Sequence, residues 1–238
     1  MSCHIASLDP RELRSLSTVI ADRLTELIET GALKPGEHLV QTDLAAKFGV
    51  SRVAARDALQ ELRQRGLAIN VPLKGTIVRP VSCKATHELF AVRRVVESFA
   101  AQVACRNMTQ EDFGRLDRIV EEQEELSQKQ EVAQLLEKDW EFHKAIYDRT
   151  NNEPLNEIIM LLWSRIRQAR SLAPLDAQWA QSWSRQSPSR HRRILAALKQ
   201  GDADRAGALI TEAIALAEDE LVRGLRVSGW GENNGDDG

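Results

Sequence analysis

The stretch at 48–66, FGVSRVAARDALQELRQRG, leaves its part of the chain little choice of structure. Gly49 supplies a turn, Ser51 is a good helix N-cap, and Gly66 suits the left-handed residue that ends a helix. Between them Ala55, Ala58, Leu59 and Leu62 recur at helical spacing and predict one buried stripe, while Arg52, Arg56, Gln60 and Arg63 fall on another face. A cation at Arg52, in the first turn, opposes the helix dipole, where Asp or Glu would be stabilising. That charge points to something outside the chain, and an anionic polymer is the obvious partner. A short helix at 41–47 precedes the Gly49 turn. Two short helices around a glycine turn, the second opening on arginine, form the helix-turn-helix pattern. On these residues alone, a surface hairpin with a solvated basic face competes with a DNA reader.

The flanking segments weigh for DNA. Residues 15–30 read as a first helix with Leu16, Ile20, Leu24, Leu27 and Ile28 on one face, ended by Gly31, and 34–36 form a turn. After Gly66, the apolar runs 67–71 and 76–79 are joined by 72–75; Pro72 limits the first to an edge strand, and Gly75 permits the turn. Three helices and a hairpin tipped by Lys74 make a winged helix. The net charge of −3 does not suit a nucleic-acid binder, but residues 10–80 carry +3 and the remainder −6. That asymmetry fits one DNA-contacting domain and one that is not.

GALKPGEHL at 31–39, LAAKFGVSRVAARDAL at 44–59, Gly66-Leu67 and Gly75 resemble the GntR winged-helix regulators over about residues 15–80. The resemblance implies that Thr42, Ser51, Arg52, Val53, Arg56, Lys74 and Gly75 meet double-stranded DNA. Val53 stands where the family usually has Thr, and Thr42 where one branch carries a DNA-contacting Arg. Both departures bear on the operator sequence and neither on the fold.

Beyond a linker at 81–84 every strong periodicity is helical. The punctuation predicts helices at about 84–107, from Thr109 to 128, 131–149 and from Asn152 to 171. It then predicts one capped by Ser187 with Pro188 at its first position and ended by Gly201, and one from Asp202 to 226. Residues 175–186, holding Trp179 and Trp183, read equally as loop or short helix. The expected fold is mainly α: a winged helix-turn-helix at 10–80, then an all-α antiparallel bundle of six or seven helices at 85–228 for effector binding and dimerisation. A disordered tail is expected at 229–238, rich in Gly, Asn and Asp. The longest apolar run, 158–163, is far short of a membrane span, and the N-terminus lacks the apolar core of a signal peptide. Three cysteines without CxxC spacing read as reduced thiols in a cytoplasmic protein.

The helix at 131–149 places Asp139 and His143 one turn apart on the stripe of Leu135, Leu136, Trp140 and Ile146, and His191 shares a face with Ile194, Leu195 and Leu198. A carboxylate and an imidazole aimed at one spot suit a metal, or equally a satisfied core hydrogen bond. Arg93 could grip an anion or pair with Glu97 along its own helix; Arg165, Arg167 and Arg170 read as solvated, and the tryptophans as core or rim packing.

RRVVE at 93–97, DWEFH at 139–143, NEPL at 152–155, HRRIL at 191–195 and Gly201-Asp202 resemble FCD, the ligand-sensing domain of the FadR branch of GntR regulators. In that domain an Asp and three His hold a divalent metal at the floor of an effector cavity. Asp139, His143 and His191 match three of the ligands. The fourth falls by register at Ala213, on the stripe Ala206, Ile210, Ala213, Ala217, and alanine cannot coordinate. The resemblance thus implies a weak three-ligand site for Zn, Ni or Mn, or an empty one, unless Glu212 or Glu97 completes it. It assigns effector binding to Arg93, Asp139, His143 and His191. Together these readings describe a cytoplasmic, homodimeric repressor that binds a near-palindromic operator and senses a small organic acid, with no membrane partner and no enzymatic activity. The rivals are a metal-dependent enzyme fused to a DNA-binding module and a non-sensing architectural DNA-binding protein.

Overall fold

Ser15 accepts a hydrogen bond from the Thr18 amide and starts α1 (Leu16–Glu29), which buries Ile20, Ala21, Leu24 and Ile28; Leu16, in the first turn, stays exposed. The computed structural model describes residues 15–173 and 177–230, and in the latter segment the side chains from 183 onward. The chain divides after Pro80 into two compact units.

In the first unit α2 (Gln41–Phe48) ends at Gly49, whose φ of 65° no branched side chain would adopt cheaply. Ser51 then caps α3 (Arg52–Gln64) by accepting from the Ala54 amide. The α3 stripe of Ala55, Ala58, Leu59 and Leu62 is fully buried against α1, as the spacing predicts. Arg65 fastens the two helices together through Asp22 at 2.7 Å and Thr25 at 3.1 Å. Strands β1 (Ala68–Val71) and β2 (Gly75–Val78) form the antiparallel hairpin, Ala68 opposite Val78 and Val71 opposite Gly75. β2 is also paired on its other side, a contact absent from the sequence reading: the Leu39 amide donates to the Thr76 carbonyl and the Val78 amide to that of Glu37. The wing is therefore anchored along both edges of β2, with β1 as the edge strand that Pro72 requires. At its tip Leu73 holds a left-handed φ of 64° with its side chain wholly in solvent.

The second unit contains, among the described residues, six α-helices and one 3-10 turn. They are α4 (Cys83–Cys105), α5 (Gln110–Lys129), α6 (Val132–Tyr147), the turn Asp148–Thr150, α7 (Glu153–Arg170), α8 (Ala177–Lys199) and α9 (Ala203–Val227). Thr109 and Asp112 form a reciprocal capping box, and Asn152 and Asp202 cap their helices through their side chains. α4 and α9 share the core through Phe90, Ala100, Ala104, Ala206, Ile210 and Ile214. Gly207 lets them come close: a Cβ there would lie 2.8 Å from the Ser98 hydroxyl.

Three boundaries differ from expectation. α4 begins at Cys83, capped by Ser82, so only the first half of the 81–84 segment is non-helical. α8 does not begin at Ser187 but runs through Pro188 from Ala177. Proline there lacks one helical N–H, and the burial of Trp183, Ser184 and Ser187 offsets that loss. At the C-terminus Gly229 (φ 79°) and Trp230 are ordered: the Trp230 amide donates to the Leu225 carbonyl and its ring packs on the helical core. The rest of the expected disordered tail, 231–238, lies outside the described residues, as do 175 and 176 of the ambiguous segment. No helix among the described residues is long and apolar enough to cross a membrane.

Candidate functional site

The first site is the start of α3 and the wing. Thr42, Ser51, Arg52, Val53, Arg56, Lys74 and Gly75 are all exposed, as a surface for a large partner requires. Arg52 makes no hydrogen bond or ion pair with a described residue, whereas Arg56 rests on Asp57 through Nε at 3.1 Å and a terminal nitrogen at 3.0 Å. Both partners of that pair are about half exposed, so water screens it and it is worth little. Arg56 can leave Asp57 for a phosphate or a base at small cost.

The second site lies inside the helical unit. Asp139 and His143 of α6 and His191 of α8 bring one oxygen and two nitrogens within 4.8 Å of one another. His191 Nε2 stands 3.5 Å from Asp139 Oδ1, and the two imidazoles meet edge to face at 5.1 Å. Their tautomers follow from their outer partners. The Gln123 amide nitrogen donates to the Lys138 carbonyl, which turns its oxygen toward His191 Nδ1 at 2.6 Å. That nitrogen must donate, leaving Nε2 with the lone pair. Tyr147 spends its one proton on Glu97 at 2.7 Å and accepts from His143 Nδ1 at 3.2 Å, so His143 Nε2 also keeps its lone pair. Two oriented imidazoles and a carboxylate, each with an outer partner, fit a divalent ion: ligands about 2.0–2.1 Å from one metal lie some 3.3 Å apart.

Ala213 lines the same cavity, together with Ala217 of α9, at the place the register assigned to the fourth ligand. Neither acid suggested as a substitute is available. Glu212 faces solvent and pairs with Arg193, while Glu97 is fully buried and accepts from Arg93, Tyr147 and Trp163. Arg93 is likewise committed: it is 4% exposed, bound to Glu97 by two hydrogen bonds and stacked 4.5 Å over Trp163. Of the two roles open to Arg93, the structure therefore shows the intrahelical pair. Arg170, expected in solvent, instead lines the cavity, as do Arg190, Trp163 and Trp183.

Burial pushes the His191 pKa down to about 3, with Asp139 opposing, and lowers that of His143 for the same reason. Burial also resists ionisation of Asp139, but the two imidazoles and then Arg170 and Arg190 hold its pKa below the ordinary carboxylate value. A folded-state histidine pKa below the unfolded 6.5 means that the unfolded chain binds more protons under pH 6.5. The stabilisation is complete above that pH and is lost as pH falls toward 3. In metal-free protein we expect the unfolding free energy to fall between pH 6.5 and 5, by on the order of 1 kcal/mol per pH unit, and the melting temperature to fall with it. A His191→Asn variant should show a shallower slope; an identical slope would contradict the assignment.

A DNA-facing winged helix joined to a helical unit with an internal polar cavity defines a class: DNA-binding transcription regulators that respond to a ligand. Residues 16–78 match the bacterial regulatory proteins of the gntR family, and residues 88–216 match the FCD domain. The chain is 30% identical over 233 residues to the HTH-type transcriptional regulator LutR of Bacillus subtilis (strain 168), covering 87% of this chain and 99% of that one. It is 30% identical over 152 residues to the HTH-type transcriptional regulator McbR of Escherichia coli (strain K12), 64% of this chain and 69% of that one. The solved structure of E. coli McbR/YncC superposes with a TM-score of 0.75 at 26% identity, over 89% of this chain and 99% of that one. The protein belongs to the gntR family and carries a C-terminal FCD domain.

Proposed function

We propose that the protein is a cytoplasmic, homodimeric repressor that reads a near-palindromic operator with α3 and the wing and releases it when a small organic acid enters the FCD cavity. The observation that carries the sensing half is the convergence of Asp139, His143 and His191 on one cavity, with Nε2 of each imidazole free to coordinate. Arg52, Arg56 and Lys74 act as the DNA cations, with Thr42, Ser51, Val53 and Gly75 on the same exposed surface. A two-fold dimer matches two half-sites and raises an otherwise weak monomer affinity. Its support is an apolar stripe on α4, Val92, Val95 and Phe99 at 47%, 72% and 52% exposure, joined by Leu216 of α9. Cys83 and Cys105 as buried free thiols agree with the cytoplasm.

A divalent ion bound here would give the organic acid a Lewis-acidic anchor. Asp139, His143 and His191 would hold it, with water or the acid completing the shell that Ala213 leaves open. We read the site as a sensor and not a catalytic centre, because the buried carboxylate of Glu97, bound to the His143 partner Tyr147, is saturated by its three donor residues and cannot serve as a base. Calorimetric titration of Zn²⁺ into wild type and Ala213→His tests the reading. Wild type should bind weakly, at one site per chain, and the variant at least tenfold more tightly. Equal affinities would remove Ala213 from the coordination sphere, and no binding by either protein would leave Asp139, His143 and His191 as a structural cluster.

A further inference from the structure

The cavity wall carries two kinds of polar group. Acceptors are the Asp139 carboxylate and the lone pairs of His143 and His191 Nε2. Donors not spent within the wall are the guanidinium groups of Arg170 and Arg190, both of which act on Asp139 through space. Neither arginine makes a hydrogen bond or ion pair with a described residue, although both sit against a buried site. Asp139 and Glu220 act on Arg170 through space, but Glu220 lies outside the cavity wall and has a partner of its own. Arg93 is neutralised by Glu97, so among the lining residues Asp139 is the one carboxylate set against two further guanidinium charges. Guanidinium groups carry five N–H donors each and no acceptor, so an anion admitted to the cavity meets donors not committed to a described acceptor.

We propose that Arg170 and Arg190 are the anion anchor of the sensor, in place of Arg93, and that the ligand is a short dicarboxylate. One carboxylate would meet the two guanidinium groups and the second the Asp139–His143–His191 cluster, where a bound divalent ion would reverse the local charge. With such an ion in place the cavity carries three uncompensated positive charges, which a dianion meets better than a monoanion does. The inference rests on reading this cavity as the sensing site. As it stands the cavity measures about 30 Å³, room for a water molecule or two and not for a four-carbon acid. Entry of the ligand must therefore spread walls drawn from α6, α7, α8 and α9. A ligand that fits only the spread state shifts the equilibrium toward it by the difference in affinity, which is what a sensor needs.

The test is calorimetry on the full chain with Zn²⁺ present, titrating malonate, succinate and glutarate against acetate, propionate and butyrate at constant ionic strength. At least one dicarboxylate should bind tenfold or more tightly than the monocarboxylate of matched length. Arg170→Gln and Arg190→Gln should each erase that preference while Zn²⁺ affinity and helical content stay at wild-type values. Arg170→Lys, which keeps the charge and loses the fork, should recover part of it. Equal affinity for mono- and dicarboxylates, or a preference that survives both glutamine variants, overturns the proposal while leaving an acid-sensing cavity in place. Absence of binding by all six acids overturns it too, and Zn²⁺ and operator titrations of the same preparation then show whether the wider reading falls with it. If Arg170→Gln fails to fold, Arg190→Gln, on a half-buried and separate helix position, decides alone.

Discussion

Replacing Glu97 by alanine is expected to destabilise the helical unit by about 3–5 kcal/mol, because it leaves a buried arginine without its counter-ion. The carboxylate is completely buried and binds Arg93 through both oxygens, and the same group accepts from the Tyr147 hydroxyl and the Trp163 indole. Its removal leaves the Arg93 guanidinium, 4% exposed, between the faces of Trp163 and Phe90 without a hydrogen-bonded counter-ion. Two further donors lose their acceptor, each adding about 1–3 kcal/mol of desolvation that relaxation only partly recovers. Against a typical domain stability of about 5–15 kcal/mol, that loss is large. Urea unfolding followed by tryptophan fluorescence measures it cleanly, since all five tryptophans fall after residue 81 and report the helical unit alone. An Arg93→Met/Glu97→Leu double variant should recover much of the loss, because removing both charges is far cheaper than stranding one. A Glu97→Ala midpoint equal to wild type would mean that Arg93 finds water or another acid.

Arg52→Ala should weaken binding to an operator selected from a random DNA pool by about 1–3 kcal/mol if the side chain reads a base edge. Arg52 is the cleaner probe of the two arginines at the start of α3. It has no hydrogen-bond or ion-pair partner among the described residues, so the variant removes a DNA contact without breaking one of theirs. Arg56→Ala should cost a similar amount, less the small price of separating the guanidinium from Asp57. Lys74→Ala should lower affinity evenly across sequences and reduce the slope of log affinity against log salt by about 1, as a phosphate contact does. Affinities measured at several salt concentrations distinguish the cases. Wild-type affinity in both arginine variants would falsify α3 as the recognition helix.

Where sequence and structure agree, the physics is local. Ser51, Thr109, Asn152 and Asp202 cap helices because a side-chain oxygen two or three bonds from Cα can reach the amide three residues on, wherever the rest of the chain lies. The α8 start fails for the converse reason. Ser187-Pro188 carries the local signature of a helix N-terminus, but tertiary burial of the preceding turn decides in favour of continuation. The pairing of residues 36–39 with β2 and the turn of Arg170 into the cavity both depend on distant segments, which no window of sequence contains. The outer partners of the histidines were missed, although each leaves a signal in the sequence. Gln123 sits on the apolar stripe of α5 with Leu116, Ile119 and Val120, and a polar residue at a core register asks for a buried partner. Tyr147 stands one turn beyond His143, close enough to hold its ring.

The short connection ahead of α4 has a mechanical consequence. Between Pro80 and Cys83 stand only Val81, packed into the helical core, and Ser82, whose hydroxyl and carbonyl are both taken by the first turn of α4. Neither residue is free to uncoil and take up a displacement. Arg93, whose partner Glu97 ties it to Tyr147 and Trp163, lies ten residues along the same helix, roughly 15 Å at 1.5 Å per residue. α4 is thus a stiff arm with the cavity wall near its middle and the junction at its end. Pivoted at Arg93, which lines the cavity, a tilt of about 5° would carry Cys83 by roughly 1.3 Å over that length.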